Sequence, residues 1–331
     1  MAWLLPSRRV LRVSGADAAT FLQGLVTADV RSLFSPTPAP LRLLPTAVLA
    51  ANGRILFHAL LRPAGGGDGG GVTAEVCSAD AAPLASHLKR YTLRARVSVD
   101  DDASVSPAWA PARRSESEAL ALEPPEPHER WAPDPRSRLL GHRSLLPASA
   151  AASLSPAPEG LYDVTRLSLG FLEGAAELAG ELPAEACLDV CPGHTVSFAK
   201  GCYIGQELTS RTHFRGVVRK RALPLFVQPA TASGPTAVPH AMPARGEDVV
   251  DAATGRVVGR ILAASVPAGD ADAAAASALP RGARGVVVAC LRLEAVGKGE
   301  LRAASGARLG VARPPEWWPP GLVEAGTAGG G

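Results

Sequence analysis

The sequence has 331 residues, with 34 Lys and Arg against 31 Asp and Glu, so its formal net charge is only +3. So small a basic excess excludes a general nucleic-acid binder, which concentrates positive charge on one face. With 47% hydrophobic and 20% charged residues, the composition is typical of a globular protein, and the length allows two or three compact units.

The cysteines indicate a reducing compartment. They number five, and their irregular spacing does not form the pattern of a disulfide framework. They are Cys77, Cys187, Cys191, Cys202 and Cys290. No segment reaches the run of about 18 apolar residues that a membrane helix requires.

The N-terminus supports two interpretations. Arg8, Arg9 and Arg12 precede the first acid, Asp17, which is typical of a short or truncated organellar presequence. Apolar residues that alternate with these arginines equally predict a first strand. The sequence leaves both interpretations open.

A helix is predicted next, with Phe21, Leu22 and Leu25 on one face and Ser14 or Asp17 as its cap. Asn52-Gly53 then predicts a hairpin between strands at 41–49 and 54–61.

The next stretch, 65–102, predicts further α+β structure. No Lys-Ser/Thr pair follows the glycine-rich segment Gly65–Gly71, which predicts a hairpin tip rather than a phosphate loop. Ser78 is the predicted cap of a helix between strands at 72–77 and 93–99. The acids at 100–102 suggest either a metal site or a solvated loop, and the loop is favoured. Residues 103–130 and 144–159 lack periodicity and are predicted to be insertions or poorly ordered loops.

The densest concentration of unusual residues lies at 197–211, where Lys200, Cys202 and Gln206-Glu207 are separated by glycines. Gly201 and Gly205 predict a backbone turn around the cysteine. Gln206 and Glu207 would then begin a helix, whose free N–H groups and positive dipole end favour the thiolate form of Cys202. The alternative is purely structural: a turn, a capped helix and a buried cysteine.

Two neighbouring patterns are candidates for binding. Cys187, Cys191, His194 and Cys202 are spaced C-x3-C-x2-H-x7-C, which fits no common zinc finger, so no stable metal site is expected. A basic band follows, which is either the solvated face of a strand or a docking surface for an anionic tail or acidic partner. Its members are Arg211, His213, Arg215, Arg219, Lys220 and Arg221.

The C-terminal third predicts only β-structure. Short strands at 223–227, 254–262, 285–293 and 301–311 are separated by Gly, Pro and Ala loops, a pattern typical of a small barrel. The Gly-rich end, 322–331, is predicted to be a disordered tail.

The run KGCYIGQELTSRTHFRG resembles the signature of the YgfZ-type folate-binding family, relatives of the glycine-cleavage T-protein, and is most similar to the mitochondrial branch of that family. Four further stretches carry the same resemblance, which extends from Arg9 to Pro319 outside the two insertions. They are Phe21–Asp29, the helix followed by RYTLRARV, Trp131–Arg136, and the step from Arg166 through Gly170 to Glu173-Gly174.

The resemblance implies an α+β, T-protein-like folate-binding domain over 1–222 and a C-terminal antiparallel β-barrel over 223–321. It implies an assembly factor that acts with A-type scaffold proteins in the maturation of mitochondrial [4Fe–4S] proteins, with aconitase and lipoyl synthase as types of client. The location implied is the mitochondrial matrix, with a plastid as the alternative. A folate-dependent aminomethyl transferase is the competing function.

The sequence departs from the T-protein pattern at two places. Phe57 and His58 occupy the positions of paired aspartates, one of them catalytic, which weakens the transferase interpretation. Cys187 replaces an asparagine beside the retained Glu185, and a thiol is a poorer hydrogen-bonding group than an amide. The resemblance therefore implies at most weak binding of tetrahydrofolate.

The resemblance assigns cofactor contacts to Glu185, Cys187, Gln206, Glu207 and Arg211, and chemical roles to Cys202 and Lys200. Lys200 and Glu207 are expected at one rim of a central cavity. Since thiolate is the form that ligates metal, Cys202 is expected to hold iron or a cluster transiently at a partner interface.

Overall fold

The structure is a computed structural model that describes residues 2–34, 42–64, 71–112, 125, 130–229, 241–267 and 279–327. The proline-rich segment at 35–40, the glycine-rich tip at 65–70 and most of the first predicted insertion lie outside these residues. Two compact units are present. Unit 1 comprises 1–157, 173–183 and 191–210, and unit 2 comprises 158–172, 184–190 and 211–331. The predicted domain boundary at 222/223 stays a prediction.

The described residues form both helices and strands, and β10–β15 follow one another without an intervening α-helix. The α-helices are α1 (Ala18–Gln23), α2 (Ser78–Thr92), α3 (Ala148–Ala151), α4 (Leu161–Ser168), α5 (Ala175–Leu178), α6 (Gln206–Arg215) and α7 (Leu322–Thr327). The first strands are β1 (Trp3–Leu4), β2 (Arg8–Ser14), β3 (Leu44–Leu49), β4 (Ile55–Pro63), β5 (Gly71–Cys77), β6 (Ser98–Asp101), β7 (Val105–Ala110), β8 (Ala132–Pro133) and β9 (His142–Pro147). The later strands are β10 (Lys220–Val227), β11 (Asp248–Asp251), β12 (Val257–Ser265), β13 (Gly285–Arg292), β14 (Leu301–Ala303) and β15 (Arg308–Leu309).

Unit 1 is built around a five-stranded sheet in the order β3-β4-β5-β2-β6, with all neighbours antiparallel. Because successive strand residues face opposite sides, Ala59 and Leu61 of β4 join the apolar core under α1 and α2. Leu84 and Leu88 of α2 enter the same core, and burying each side chain stabilises the fold by about 1.5–3 kcal/mol. The opposite face carries charged residues.

A second sheet in unit 1 has the order β1-β7-β9-β8. Strands β7 and β9 pair over six residues each, from Val105↔Pro147 to Ala110↔His142. Both predicted insertions therefore contain strand residues near their N-terminal ends, and α3 follows β9 directly. Apolar–polar alternation in these strands is weak, which is why the sequence pattern missed them.

Several local predictions need correction. The carboxylate of Asp17 does not cap α1 but accepts hydrogen bonds from Arg96, at 2.8 Å from its backbone nitrogen. Helix α2 begins at Ser78, as predicted. The Ser78 hydroxyl, however, donates to the Pro6 carbonyl instead of capping the helix. The predicted strand at 93–99 begins only at Ser98. The predicted first strand is confirmed, since Arg8, Arg9 and Arg12 belong to β2.

Unit 2 contains a closed antiparallel barrel in the order β10-β13-β12-β11-β14-β15. This arrangement confirms the predicted α+β fold class with a C-terminal β-barrel. Helix α4 packs on β10, β12 and β13, and the Trp317 ring nitrogen donates to the Leu169 carbonyl at 2.7 Å. Residues 322–327, predicted as part of a disordered tail, form α7. In the described part of the chain, no helix combines the length and apolar character needed to cross a membrane.

Candidate functional site

The signature loop, residues 195–205, is attached along segment 24–28 of unit 1. The Ser197 N–H donates to the Thr27 carbonyl at 2.9 Å, and the Ile204 N–H donates to the Gly24 carbonyl at 3.1 Å. The fully buried Thr27 hydroxyl donates to the Thr195 carbonyl at 2.6 Å and accepts from the Ala47 N–H. Because Ala47 lies in β3, these bonds connect the loop to the sheet.

Lys200 fastens the middle of this loop. Its ammonium donates to the carbonyls of Val26 at 2.7 Å and Ala28 at 2.8 Å, and it lies 5.0 Å from the centre of the Tyr203 ring. The side chain is buried, and burial lowers the pKa of Lys200 to about 8. Because its donors are directed to backbone carbonyls, Lys200 positions the loop.

Cys202 follows two residues later and is exposed. The other four cysteines, all within the described residues, are buried or half-buried. The alternative interpretation of Cys202 as a small buried residue is therefore wrong. Cys191 and Cys187 are buried, whereas His194 is exposed on a turn with φ of 60°, so the residues of the C-x3-C-x2-H-x7-C pattern occupy different environments.

The two glycines of the signature differ in what the fold requires. Gly205 has φ of +80°, and a Cβ there would lie 2.4 Å from the Ala50 carbonyl oxygen. This position needs glycine, as predicted. Gly201 has no such φ, and a Cβ there would meet nothing within 4 Å. The turn therefore does not account for Gly201.

Helix α6 begins at Gln206, where the sequence predicts a helix start. The Gln206 side-chain oxygen accepts from the Tyr203 N–H at 3.3 Å, so this side chain stabilises the helix entry. Glu207 and Arg211 are exposed on α6. Glu207 does not line the two clefts beside β2 in unit 1, and its expected place with Lys200 at the rim of a central cavity stays a prediction.

Glu185 and Cys187 lie in unit 2 beside β10. The buried Cys187 thiol donates to the Ala222 carbonyl at 3.2 Å, and burial raises its pKa. Its backbone is in the left-handed region, with φ of 61°, where asparagine is favoured over most residues. The half-buried Glu185 accepts from the Ala222 N–H through its backbone carbonyl at 2.7 Å.

These residues do not match a tetrahydrofolate-binding set. The thiol at 187 already has a backbone partner and cannot supply the two-way hydrogen bonding of an amide. Phe57 packs against the apolar core, and His58 is buried. Neither offers the carboxylate that T-protein relatives carry, so no chemical step through folate follows from these side chains.

The main polar feature of unit 1 was not predicted from the sequence. It is a buried ionic cluster of three arginines and three carboxylates, all at most 3% exposed. Its members are Arg8, Arg136, Arg143, Glu75, Asp134 and Glu173.

Each arginine of the ionic cluster contacts at least two carboxylates, and Arg143 contacts all three, with Glu173 at 3.4 Å. Arg8 lies 3.1 Å from Glu75 and 2.9 Å from Glu173. Arg143 pairs with Glu75 and lies 2.9 Å from Asp134, and Arg136 contacts Asp134 and Glu173 at 2.8 and 2.6 Å. The cluster connects β2, β5 and β9. The one available signal was the Asp134-Pro-Arg136 turn, which the family resemblance identified without its role.

His58 and Arg62 border this cluster on the same face of β4. Desolvation, followed by repulsion from Arg136, lowers the pKa of His58 to about 3. Arg62 is 6% exposed, and desolvation lowers its pKa to about 10. A neutral histidine thus stands where the T-protein pattern has an acid.

Comparison with known proteins identifies the family of this chain. No protein-family model matches it. It is 40% identical over 230 residues to the mitochondrial iron–sulfur cluster assembly factor IBA57 homolog of Pyricularia oryzae, across 66% of this chain and 56% of that protein. It is 32% identical over 354 residues to the corresponding protein of Mycosarcoma maydis, across 95% of this chain and 84% of that protein. The chain belongs to the mitochondrial IBA57 family.

The predicted family and mitochondrial location are thereby confirmed, although the chain spans little more than half of the Pyricularia relative. The crystal structure of glycine cleavage system aminomethyltransferase T from Bartonella henselae matches with a TM-score of 0.65 and 14% identity, over 95% of this chain and 85% of that one. This likeness confirms the T-protein-like fold.

Proposed function

We propose that this protein assists the maturation of mitochondrial [4Fe–4S] proteins by presenting the Cys202 thiolate to an A-type scaffold protein. Aconitase and lipoyl synthase are the types of client expected. The observation that carries the proposal is the exposure of Cys202 on a loop whose backbone is fixed on both sides.

The chemistry follows from this placement. Thiolate sulfur is a preferred ligand for iron and for iron–sulfur clusters, so Cys202, once deprotonated, can donate to an iron of the transferred cluster. Lys200 and Gly205 hold the loop, which reduces the ordering entropy lost when a partner binds. The cluster is the cargo of this step.

A basic segment in unit 2 supports an acidic partner. No Asp or Glu occurs between Glu207 and Glu247. The segment is helical to Arg215, whereas Lys220 and Arg221 belong to β10. Phe214 and Val217 are 68% and 49% exposed among its cations. Arg221 is the exception in this band, since it is buried and pairs with Asp189 at 2.8 Å. Exposed apolar side chains with a basic surround fit an acidic protein surface.

The competing transferase function has no support from the described side chains. We expect a reduced folate to bind weakly or not at all, and calorimetric titration with tetrahydrofolate measures this. Tight binding by the unaltered protein would contradict the expectation.

The test is rescue of protein lipoylation and aconitase activity in cells depleted of this protein. Cys202→Ser is expected to fold normally, because the side chain is exposed, and to restore little of either signal. Thermal melts of the purified variants provide the folding control.

Cys191→Ser and Cys290→Ser are the matched controls, since both remove a buried thiol and are expected to rescue like the parent. Full rescue by Cys202→Ser would refute a chemical role for this thiol. Failure of the parent protein itself to restore lipoylation would refute the assembly function.

A further inference from the structure

A groove in unit 1 lies outside the signature loop and has no part in the proposed assembly role. Its larger cleft, of about 690 Å³, lies between α2 and strands β2 and β6. A second cleft of about 500 Å³ adjoins it, and both share Arg9, Ser78 and Asp101. Both volumes fall within the range of small-molecule sites.

The base of the larger cleft is apolar and rigid. Leu11, Ala81 and Val99 line it and are at most 5% exposed. Before its last turn, α2 presents small residues to the cleft, such as Ala82 and Ala85, so the helix leaves space open beside the sheet. Leu84 and Leu88 of the same helix enter the core instead, which holds α2 in place.

The rim of the larger cleft is cationic. Arg9, Lys89 and Arg90 line it together with a single acid, Asp101, which pairs with Arg9. Arg90 contacts His87 at 2.7 Å, whereas the Lys89 ammonium has no partner within the described residues. An anion at this end would therefore meet an uncompensated charge.

The groove is also elongated. Ser78 and Lys89 are eleven residues apart on α2, which corresponds to about 16 Å of helix. Beyond Ser78 the second cleft continues along Leu4, Val10 and Pro107. The larger cleft, with its apolar base and with Lys89 and Arg90 at one end, suits a long apolar chain with an anionic head.

We propose that this groove binds an amphipathic anion, an unbranched acyl or alkyl chain whose head group lies at Lys89 and Arg90. Basic residues in the last turn of a helix also stabilise its dipole. That role alone predicts neither a cleft of this size nor saturable binding. The chain would lie over Ala82 and Ala85 toward the Arg9–Asp101 pair.

The experiment is calorimetric titration of the purified full chain with dodecanoate, dodecyl phosphate and the uncharged dodecanol. Dodecanoate or dodecyl phosphate is expected to bind at one saturable site, more tightly than dodecanol. Lys89→Glu is expected to weaken binding about tenfold, since a charge-assisted contact becomes repulsive. Ala82→Phe is expected to abolish binding by filling the cleft.

Lys298→Glu and Ala304→Phe make the same changes at exposed positions of unit 2 and are expected to bind like the parent. Thermal melts check folding, and Ser86→Phe on the same wall replaces Ala82→Phe if that variant does not fold. Tighter binding of dodecyl phosphate than of dodecanoate would identify the natural ligand as phospholipid-like. Tighter binding of dodecanoate would identify it as a free fatty acid. The proposal is overturned if neither anion binds, if dodecanol binds equally well, or if the groove variants bind like the parent.

Discussion

Acidification should destabilise unit 1 through His58, which is 1% exposed and borders the buried ionic cluster. The groups facing it are Arg8, Arg136, Arg143 and Glu173, and the arginines outweigh the single carboxylate. Desolvation and this excess charge together lower the pKa of His58 from 6.5 to about 3. The folded protein therefore holds a neutral imidazole at every pH above that value.

The sign and size of the effect follow from proton linkage. Because the folded pKa is the lower one, the unfolded chain takes up the proton first as the pH falls. The contribution of neutral His58 is complete above pH 6.5 and is lost progressively toward pH 3. Each pH unit below 6.5 lowers the free energy of unfolding by about 1.36 kcal/mol. At pH 5, which is 1.5 pH units below 6.5, the free energy of unfolding is therefore lower by about 2 kcal/mol.

Urea unfolding at pH 7.5 and pH 5, followed by circular dichroism, measures this difference in the free energy of unfolding. His58→Gln should reduce the difference by about 2 kcal/mol, because glutamine does not titrate. Burial also lowers the pKa of His87 and His142, so part of the pH dependence should remain. His194→Asn, at an exposed position, is the control. An unchanged pH dependence in His58→Gln would refute this account of the buried imidazole.

Three further outcomes are expected. Glu173→Gln should lower the free energy of unfolding by about 3 kcal/mol in urea titrations, because it leaves buried arginines undercompensated. Gly205→Ala should lower it by at least about 1–2 kcal/mol, whereas Gly201→Ala should leave it unchanged; equal losses would contradict the geometry. Cys187→Asn should raise the melting temperature, because asparagine tolerates the left-handed backbone at this position with less strain, and a lower melting temperature would contradict this argument. The same variant should bind tetrahydrofolate about tenfold more tightly.

The sequence predicted elements wherever a local pattern determines local structure. Asn52-Gly53 gave the β3–β4 hairpin, with Gly53 at φ of 81°, and Gln206 marked the start of α6. The barrel followed from regular turn spacing. In each case the signal and the structure lie within a few residues of one another.

What the sequence did not predict depends on distant partners. Arg8 belongs to a strand whose arginines resembled a presequence, and its role appears only when Glu75 and Glu173 meet it, 67 and 165 residues away. Asp17 was a plausible helix cap until Arg96 supplied a stronger partner. Charged side chains carry no periodic signal that identifies which of them will be buried together.

The signature loop divides into residues that the fold explains and residues that it does not. Gly205 is required by its φ, Lys200 by two backbone carbonyls, and Gln206 by the helix entry. Gly201 and the exposed Cys202 have no comparable contacts among the residues of unit 1 that the structure describes. A glycine beside an exposed thiol lets another molecule approach the sulfur closely, since no Cβ stands in the way. Under the proposed assembly function, these two residues are the ones that a cluster-bearing partner would contact.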